Sequence, residues 1–338
     1  MNNLERFSQE MLPVIEKELQ KVLDHYLENN HNSVRHMLAY HMGWEGEGSG
    51  VKAQGKRIRP LLSLITADAV GSDWRKILPF ACAIEMVHNY SLIHDDIEDH
   101  STMRRGRETV WVKWGVPQAI NAGDSLYTLA HLSLMGARDF LPHEIILQSS
   151  RLLDMTCLEL TQGQYLDMRF ENENTVTLDD YWKMISGKTA ALISCCCQMG
   201  ALSETTPDEI RVAFAQFGHF LGLAFQVKDD YLGLWGDTDQ TGKSIESDLV
   251  THKKTLPILY ALQNNENFRE RWNSRLIQKE EVKEIAQLLI EDGTSAYTHS
   301  IVEDLTFKAQ EMLKKTGIRN TAVDALDEMT LSLVKRKS

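Results

Sequence analysis

Four carboxylates fall within five residues of the stretch HNYSLIHDDIEDHSTMRRG: Asp95, Asp96, Glu98 and Asp99. On a helix, Asp95 and Asp99 stand one turn apart and share a face. His88 lies two turns before Asp95 on nearly the same stripe. Like charges at this spacing repel, so grouping them is unfavourable without a cation. The acids directly follow the apolar Ala81, Ile84 and Val87, and they precede Arg104, Arg105 and Arg107. A merely solvated acidic helix end would require neither neighbour. An all-oxygen, highly charged set suits a hard cation, and Mg²⁺ prefers a few carboxylates plus phosphate oxygens to an all-protein cage. Arginine supplies the forked donors that phosphate oxygens accept. The chemistry indicated is a diphosphate bridged to the protein through magnesium.

A second acidic group closes another apolar run. In FQVKDD, Gln226 precedes Asp229 and Asp230 by three and four residues, so all three are expected on one helical face. Two helices that each bury an apolar length and each end in paired aspartates read as facing walls of one pocket. Basic residues complete the set: Lys56, Arg57 and Arg59 in GKRIRP, Lys188 with Thr189 in SGKTAAL, and Lys243 in a polar loop. The competing readings are plain ones. A helical lysine such as Lys188 can snorkel to solvent, and a lone lysine in a polar loop is usually only solvated.

The elements that must position these groups are helical. Prolines number only seven, alternating β-branched runs are few, and Leu, Ala, Glu, Met and Gln are plentiful. Leu12, Ile15, Leu19, Val22 and Tyr26 form one apolar stripe near the start. Residues 41–55 carry five glycines and read as a loop. Helical patterns follow over roughly 58–70, 74–99, 116–138, 143–169, 178–200, 207–235, 253–264, 278–291 and 294–315. Thr177 with Asp180 opens one of them as a capping box. No segment reads as a strand, and residues 236–247 read as a polar loop. The expected architecture is an all-α, single-domain bundle, with an N-terminal arm and loop over 1–50 and the main helical domain over 51–338.

Composition limits the remaining classes. A formal net charge of -12 argues against nucleic-acid binding, which needs a basic footprint. No run of about 18 apolar residues is evident, so no integral membrane segment is expected, and the start lacks the pattern of a secretory signal. Five cysteines, three of them consecutive at 195–197, fit neither a disulfide nor a zinc spacing. Buried thiols in a reducing compartment, the cytoplasm by default, are the expectation.

Taken in order, GKRIRP, HNYSLIHDDIEDHSTMRRG, GKT, FQVKDD and GK resemble the trans-prenyltransferase family, the polyprenyl (isoprenyl) diphosphate synthases, from about Gly55 to Leu262. The resemblance implies the isoprenoid synthase fold, an all-α bundle around a deep central cavity, usually a homodimer. It implies that Lys56, Arg59, His88 and Arg105 hold the diphosphate of isopentenyl diphosphate. Arg104, Lys188, Thr189, Gln226 and Lys243 would face an allylic diphosphate (dimethylallyl, geranyl or farnesyl) or its cation. Asp95, Asp99 and Asp229 would ligate magnesium, with about three ions in the substrate complex. The implied reaction is head-to-tail condensation to an all-trans prenyl diphosphate. It needs no side-chain nucleophile, in keeping with the lack of a Ser-His-Asp or Cys-His arrangement.

Two departures bear on the details. The family's second cluster often carries a third aspartate where this chain has Gly233, and Gly233→Asp is expected to change little. Bulk five residues before the first aspartate limits product length in the family, and Tyr90 stands there. A geranylgeranyl product is expected, with farnesyl next. The alternatives are a non-catalytic subunit of a heteromeric synthase, which would tend to lose the first cluster, and a class I terpene cyclase. A cyclase would not need Lys56, Arg59 and Arg105.

Overall fold

The computed structural model describes residues 1–27, 33–203, 205–236 and 247–335. Lys243 and most of the loop expected at 236–247 lie outside the described residues. The chain is helical almost throughout: α1 (Asn3–Leu27), α2 (Ser33–His41), α3 (Val51–Gln54), α4 (Ile58–Ala69), α5 (Trp74–Glu98), α6 (Val110–Trp114), α7 (Val116–Met135), α8 (His143–Asn172), α9 (Leu178–Ile185), α10 (Ala191–Gly200), α11 (Asp208–Trp235), α12 (Ser247–Val250), α13 (Leu256–Asn264), α14 (Glu266–Ser274), α15 (Val282–Glu291), α16 (Thr294–Lys315) and α17 (Thr321–Lys335). The all-α expectation therefore holds, with one correction. Met103–Arg104 (β1) and Arg107–Glu108 (β2) pair antiparallel as a short hairpin. Its turn residues, Arg105 at φ 52 and Gly106 at φ 74, adopt the left-handed pair that a two-residue hairpin turn requires.

Contacts divide the chain into two compact units, one comprising residues 1–155, 195–211 and 318–326, the other 156–194, 212–317 and 327–338. In the first, α5 packs along α4 and α7. Its N-terminus is capped by Asp73, whose side chain accepts from the Arg75 amide. Ile77, Phe80, Ala81, Ile84 and Val87 are buried on every side of α5, which is why its apolar pattern runs nearly unbroken until the acids begin. Gly123 on α7 lets that helix approach closely, because a Cβ there would meet the His94 ring. On α1 the buried stripe is Phe7, Met11, Ile15, Leu19, Val22 and Leu23, so Leu12 and Tyr26 of the expected stripe lie off the core face.

In the second unit, Tyr181, Ile185, Leu223, Val227, Leu256 and Leu259 form one core cluster, while Leu234, Ile258, Phe268 and Trp272 belong to another. The expected helix 178–200 is broken: Ser186–Ala190 forms a π-helical turn between α9 and α10. Such turns commonly mark functional sites. Two glycines bring this turn against α8. A Cβ on Gly187 would sit 2.6 Å from the Glu159 carbonyl oxygen, and one on Gly163 would strike the Lys188 backbone. The capping box at α9 forms as expected, with Thr177 and Asp180 bonded reciprocally.

The expectation of no integral membrane segment bears on α11. Among the described residues it is the one helix long and apolar enough to cross a membrane, although half of its most apolar window is buried within the protein. A core helix meets the same criterion, and the C-terminal turns of α11 carry Gln226, Lys228, Asp229 and Asp230.

Candidate active site

In the first unit, the end of α5 presents Asp95 partly buried and Glu98 and Asp99 exposed. Asp96 faces the opposite way: it is 1% exposed, and Arg104 Nε donates to its two oxygens at 2.8 and 3.0 Å. Burial pushes the Asp96 carboxyl up, while Arg104 opposes that. The hairpin is thus tied back to α5 through Arg104, one of the predicted substrate residues. At the hairpin turn, Arg105 donates to the carbonyls of Ala53 and Gln54 at 2.9 and 3.0 Å. Gly55, at φ +82, leaves room for that guanidinium, since a Cβ would stand 2.8 Å from it. Burial lowers Arg105 to about 10, with Arg57 adding to the effect, so it stays charged at neutral pH.

His88 Nε2 lies 3.1 Å from Arg59 Nη1. Burial first, and then Arg59, Arg105 and Arg104, hold His88 well below its usual range. It is neutral at pH 7 and accepts from Arg59. Arg59, His88, Arg104 and Arg105 therefore lie within electrostatic reach of one another, as the motif order implied, and Lys56 is exposed beside them in sequence. Arg57 belongs elsewhere. It is buried, donates to Glu16 (2.5 Å), Glu85 (2.8 Å) and the Met42 carbonyl (3.2 Å), and ties α1 to α5. Tyr90 packs edge-on to His94 at 5.0 Å and tilts against Tyr127 of α7 at 5.4 Å.

In the second unit, Lys188 on the π turn donates to Asp167 of α8 at 2.5 Å, and Lys253 approaches the same oxygen at 3.4 Å. Burial raises the Asp167 carboxyl, but Lys253 and Lys188 outweigh it and hold it below the usual range. Lys188 is therefore anchored, which excludes the plain snorkelling reading. Thr189 donates to Gln226 at 2.7 Å, and Gln226 donates to Asp230 at 2.9 Å. Asp230 also accepts from the Tyr181 hydroxyl (2.6 Å) and the Leu256 amide (3.1 Å). Its carboxyl is buried and pushed up to about 7 by that burial. The expectation that Gln226, Asp229 and Asp230 share one open face is corrected: Asp230 turns inward, and Asp229 remains partly exposed. At Gly233 a Cβ would meet the carboxylate of Asp248, so an added side chain there requires Asp248 to shift.

Asp167, Tyr181, Asp248 and Lys253 were not singled out from sequence, and Asp96 was grouped with the cluster without its inward role. Asp167 and Lys188 are 21 residues apart and Tyr181 and Asp230 are 49 apart, so only tertiary structure pairs them. The donor chemistry also bears on the metal. Among the described residues, no three or more His, Cys, Asp or Glu side chains gather as a cage. Asp95 and Asp99 provide two hard oxygen ligands one turn apart, a set that fits an ion shared with substrate phosphates rather than one held by protein alone.

A polyprenyl synthetase family model matches residues 49–291. The chain is 39% identical over 309 residues to a geranylgeranyl diphosphate synthase of Mycobacterium tuberculosis, covering 91% of this chain and 82% of the relative. It is 34% identical over 315 residues to a (2E,6E)-farnesyl diphosphate synthase of the same organism, covering 90% and 87%. A crystal structure of geranylgeranyl pyrophosphate synthetase from Pyrococcus horikoshii superposes with a TM-score of 0.88 at 32% identity, over 99% of this chain and 98% of that one. With its helical isoprenoid synthase fold and its paired aspartates among arginines and lysines, the chain belongs to the polyprenyl synthetase family and is a prenyltransferase.

Proposed function

We propose that the chain condenses isopentenyl diphosphate head-to-tail with an allylic diphosphate, giving a short all-trans prenyl diphosphate, geranylgeranyl first and farnesyl next. The observation that carries this reading is the convergence of Arg59, neutral His88, Arg104 and Arg105 beside Asp95 and Asp99. A terpene cyclase, which handles one diphosphate, has no use for the set of Lys56, Arg59 and Arg105. An intact first cluster disfavours a non-catalytic subunit.

In this reading Lys56, Arg59, His88 and Arg105 hold the isopentenyl diphosphate. Arg104 and Lys188 bind the allylic diphosphate, and Lys243 is assigned to the same group from sequence alone. Asp95 and Asp99 hold Mg²⁺ together with substrate oxygens, and Asp229 holds another ion. Bound Mg²⁺ supplies neutralisation of the charge that develops on the leaving diphosphate. The arginines and Lys188 stabilise that same charge from fixed positions, and Thr189 and Gln226 face the allylic cation. The double bond of isopentenyl diphosphate attacks the cation, a carbon–carbon bond forms, and a proton is lost to regenerate an allylic product. Apolar walls keep water from quenching the cation. Tyr90, backed by Tyr127, closes the chain-growth path.

Two further assignments belong to this reading. Leu147, Met155, Leu158, Tyr165 and Met168 lie exposed along one face of α8, an apolar face that a second copy would cover in a homodimer. All five cysteines are buried, which supports a reducing, cytoplasmic setting. The test is incubation with labelled isopentenyl diphosphate and each allylic primer, with and without Mg²⁺, followed by product sizing. Mg²⁺-dependent chain extension is expected. Cyclic hydrocarbons, or no isopentenyl incorporation, would overturn the reading.

A further inference from the structure

Four hydrogen bonds join Tyr181, Leu256, Asp230, Gln226 and Thr189 into one network with a direction. Tyr181 Oη and the Leu256 amide both donate to Asp230 Oδ2, at 2.6 and 3.1 Å. Gln226 Nε2 donates to Asp230 Oδ1 at 2.9 Å, and Thr189 Oγ1 donates to Gln226 Oε1 at 2.7 Å. Tyr181, Asp230 and Thr189 are 1%, 5% and 8% exposed, and Gln226 is partly buried.

The direction follows from what each group is able to do. The two ends of an amide have nearly the same shape, so its hydrogen-bond partners decide which way it faces. In its ionised form Asp230 only accepts, and Gln226 then turns its NH₂ to Asp230 and its carbonyl to Thr189. A carbonyl also only accepts, so Thr189 must spend its single hydroxyl proton on Gln226. Its oxygen then offers only lone pairs to any other neighbour.

We infer that Asp230 is a positioning residue that sets the polarity of Thr189, so that an allylic cation meets a lone pair instead of a hydroxyl proton. The inference rests on the reading above, in which Thr189 faces the allylic group. Electrostatically, the negative end of the hydroxyl dipole stabilises a cation and the positive end opposes it. Asp230 does this from a distance, through Gln226. It also accounts for a buried carboxylate next to Asp229 that turns away from the side of α11 its neighbour uses. The anchoring donors, Tyr181 and Leu256, leave Asp230 no freedom to rotate.

The isosteric change Asp230→Asn tests the inference. The new carbonyl keeps the Tyr181 and Leu256 bonds, which turns the new NH₂ toward Gln226. Gln226 must then flip, presenting its own NH₂ to Thr189 and releasing the Thr189 proton. The expected result is a kcat lowered about 10- to 100-fold, the scale of a misdirected dipole at a developing charge. KM for both diphosphates is expected to move less than about threefold. In a Thr189→Val background, Asp230→Asn is expected to add no further loss, because there is no hydroxyl left to misdirect. Full kcat in Asp230→Asn, or losses that multiply in the double variant, would overturn the relay. If Thr189→Val alone keeps full kcat, the assignment of Thr189 falls together with the relay. A loss in Thr189→Val with none in Asp230→Asn removes the relay alone. Should Asp230→Asn fail to fold, Gln226→Leu removes the acceptor of the Thr189 proton and takes its place. Its kcat loss is expected to vanish in the Thr189→Val background, and persistence there would overturn the relay.

Discussion

The first and second aspartate pairs, Asp95-Asp96 and Asp229-Asp230, divide their labour in the same way by different means. In each pair the first acid is partly exposed and the second is buried. Asp96 is satisfied by a cation, the Arg104 guanidinium, whereas Asp230 is satisfied by three neutral donors. A charge partner fixes a neighbouring element, here the hairpin, and neutral donors fix the direction of a hydrogen-bond chain. Adjacent aspartates are thus not duplicate ligands. One member of each pair faces outward and the other organises the groups around it.

The largest expected effect tests the outward-facing member. Asp95→Ala removes one of the two carboxylates proposed to hold Mg²⁺, and turnover is expected to fall by at least about 1000-fold. Steady-state assay under saturating Mg²⁺ checks it. Asp96→Ala is expected to act differently, because it leaves Arg104 partly enclosed without its carboxylate. A loss of about 3 kcal/mol of stability is expected, the scale for breaking a buried pair from one side. Denaturant unfolding measures it. If Asp96→Ala instead matches Asp95→Ala in turnover loss with unchanged stability, the division of labour in the first pair is wrong.

Gly233 tests the second pair. The sequence reading held that a third acid there is dispensable and so harmless to add. The structure adds a neighbour to that reading, since a Cβ at 233 meets the Asp248 carboxylate from α12. Gly233→Asp is expected to cost about 1–3 kcal/mol through overpacking and like charge, with lowered turnover. Pairing it with Asp248→Gly is expected to restore part of the stability. No recovery in that double variant would place the cost elsewhere.

How much of this was legible depended on how local each cause is. The first cluster was readable because its acids, arginines and preceding apolar helix are contiguous. The helices at 58–69, 74–98 and 294–315 were readable from periodic burial, and the Thr177–Asp180 cap from a three-residue motif. The π turn was not, because only the contact of Gly163 with Gly187 and Lys188 reveals the break in a helical pattern. The hairpin was hidden by strands of two residues each, too short to alternate. The inward turn of Asp230 was hidden because helical spacing places a side chain on a face but does not say which neighbours are waiting there.

Tyr90 offers a smaller effect, read in product rather than rate. Its ring is backed by Tyr127, which itself tilts against His131, and His131 bonds Asp154 at 2.7 Å. Tyr90→Ala is expected to lengthen the product by about one isoprene unit, a change in the space available rather than in binding. Tyr90→Ala with Tyr127→Ala is expected to lengthen it further. An unchanged product size in both variants would remove these rings as the floor and leave the two aspartate regions as the sole determinants in this reading.

The smallest effect separates the two regions by pH. His88, beside Arg59, and His41 are both held well below 6.5, chiefly by burial and then by nearby arginines. In the unfolded chain each takes up a proton near 6.5, while the folded chain resists doing so. The unfolded state therefore binds more protons below that pH, and stability falls as pH drops. Each histidine contributes at most about 1.4 kcal/mol per pH unit in that range. His88→Gln keeps an acceptor for Arg59 but does not titrate. The fall in melting temperature between pH 6.5 and 5 is expected to be less steep in this variant, measured by thermal unfolding. A slope equal to that of the parent would assign the acid sensitivity to groups other than His88.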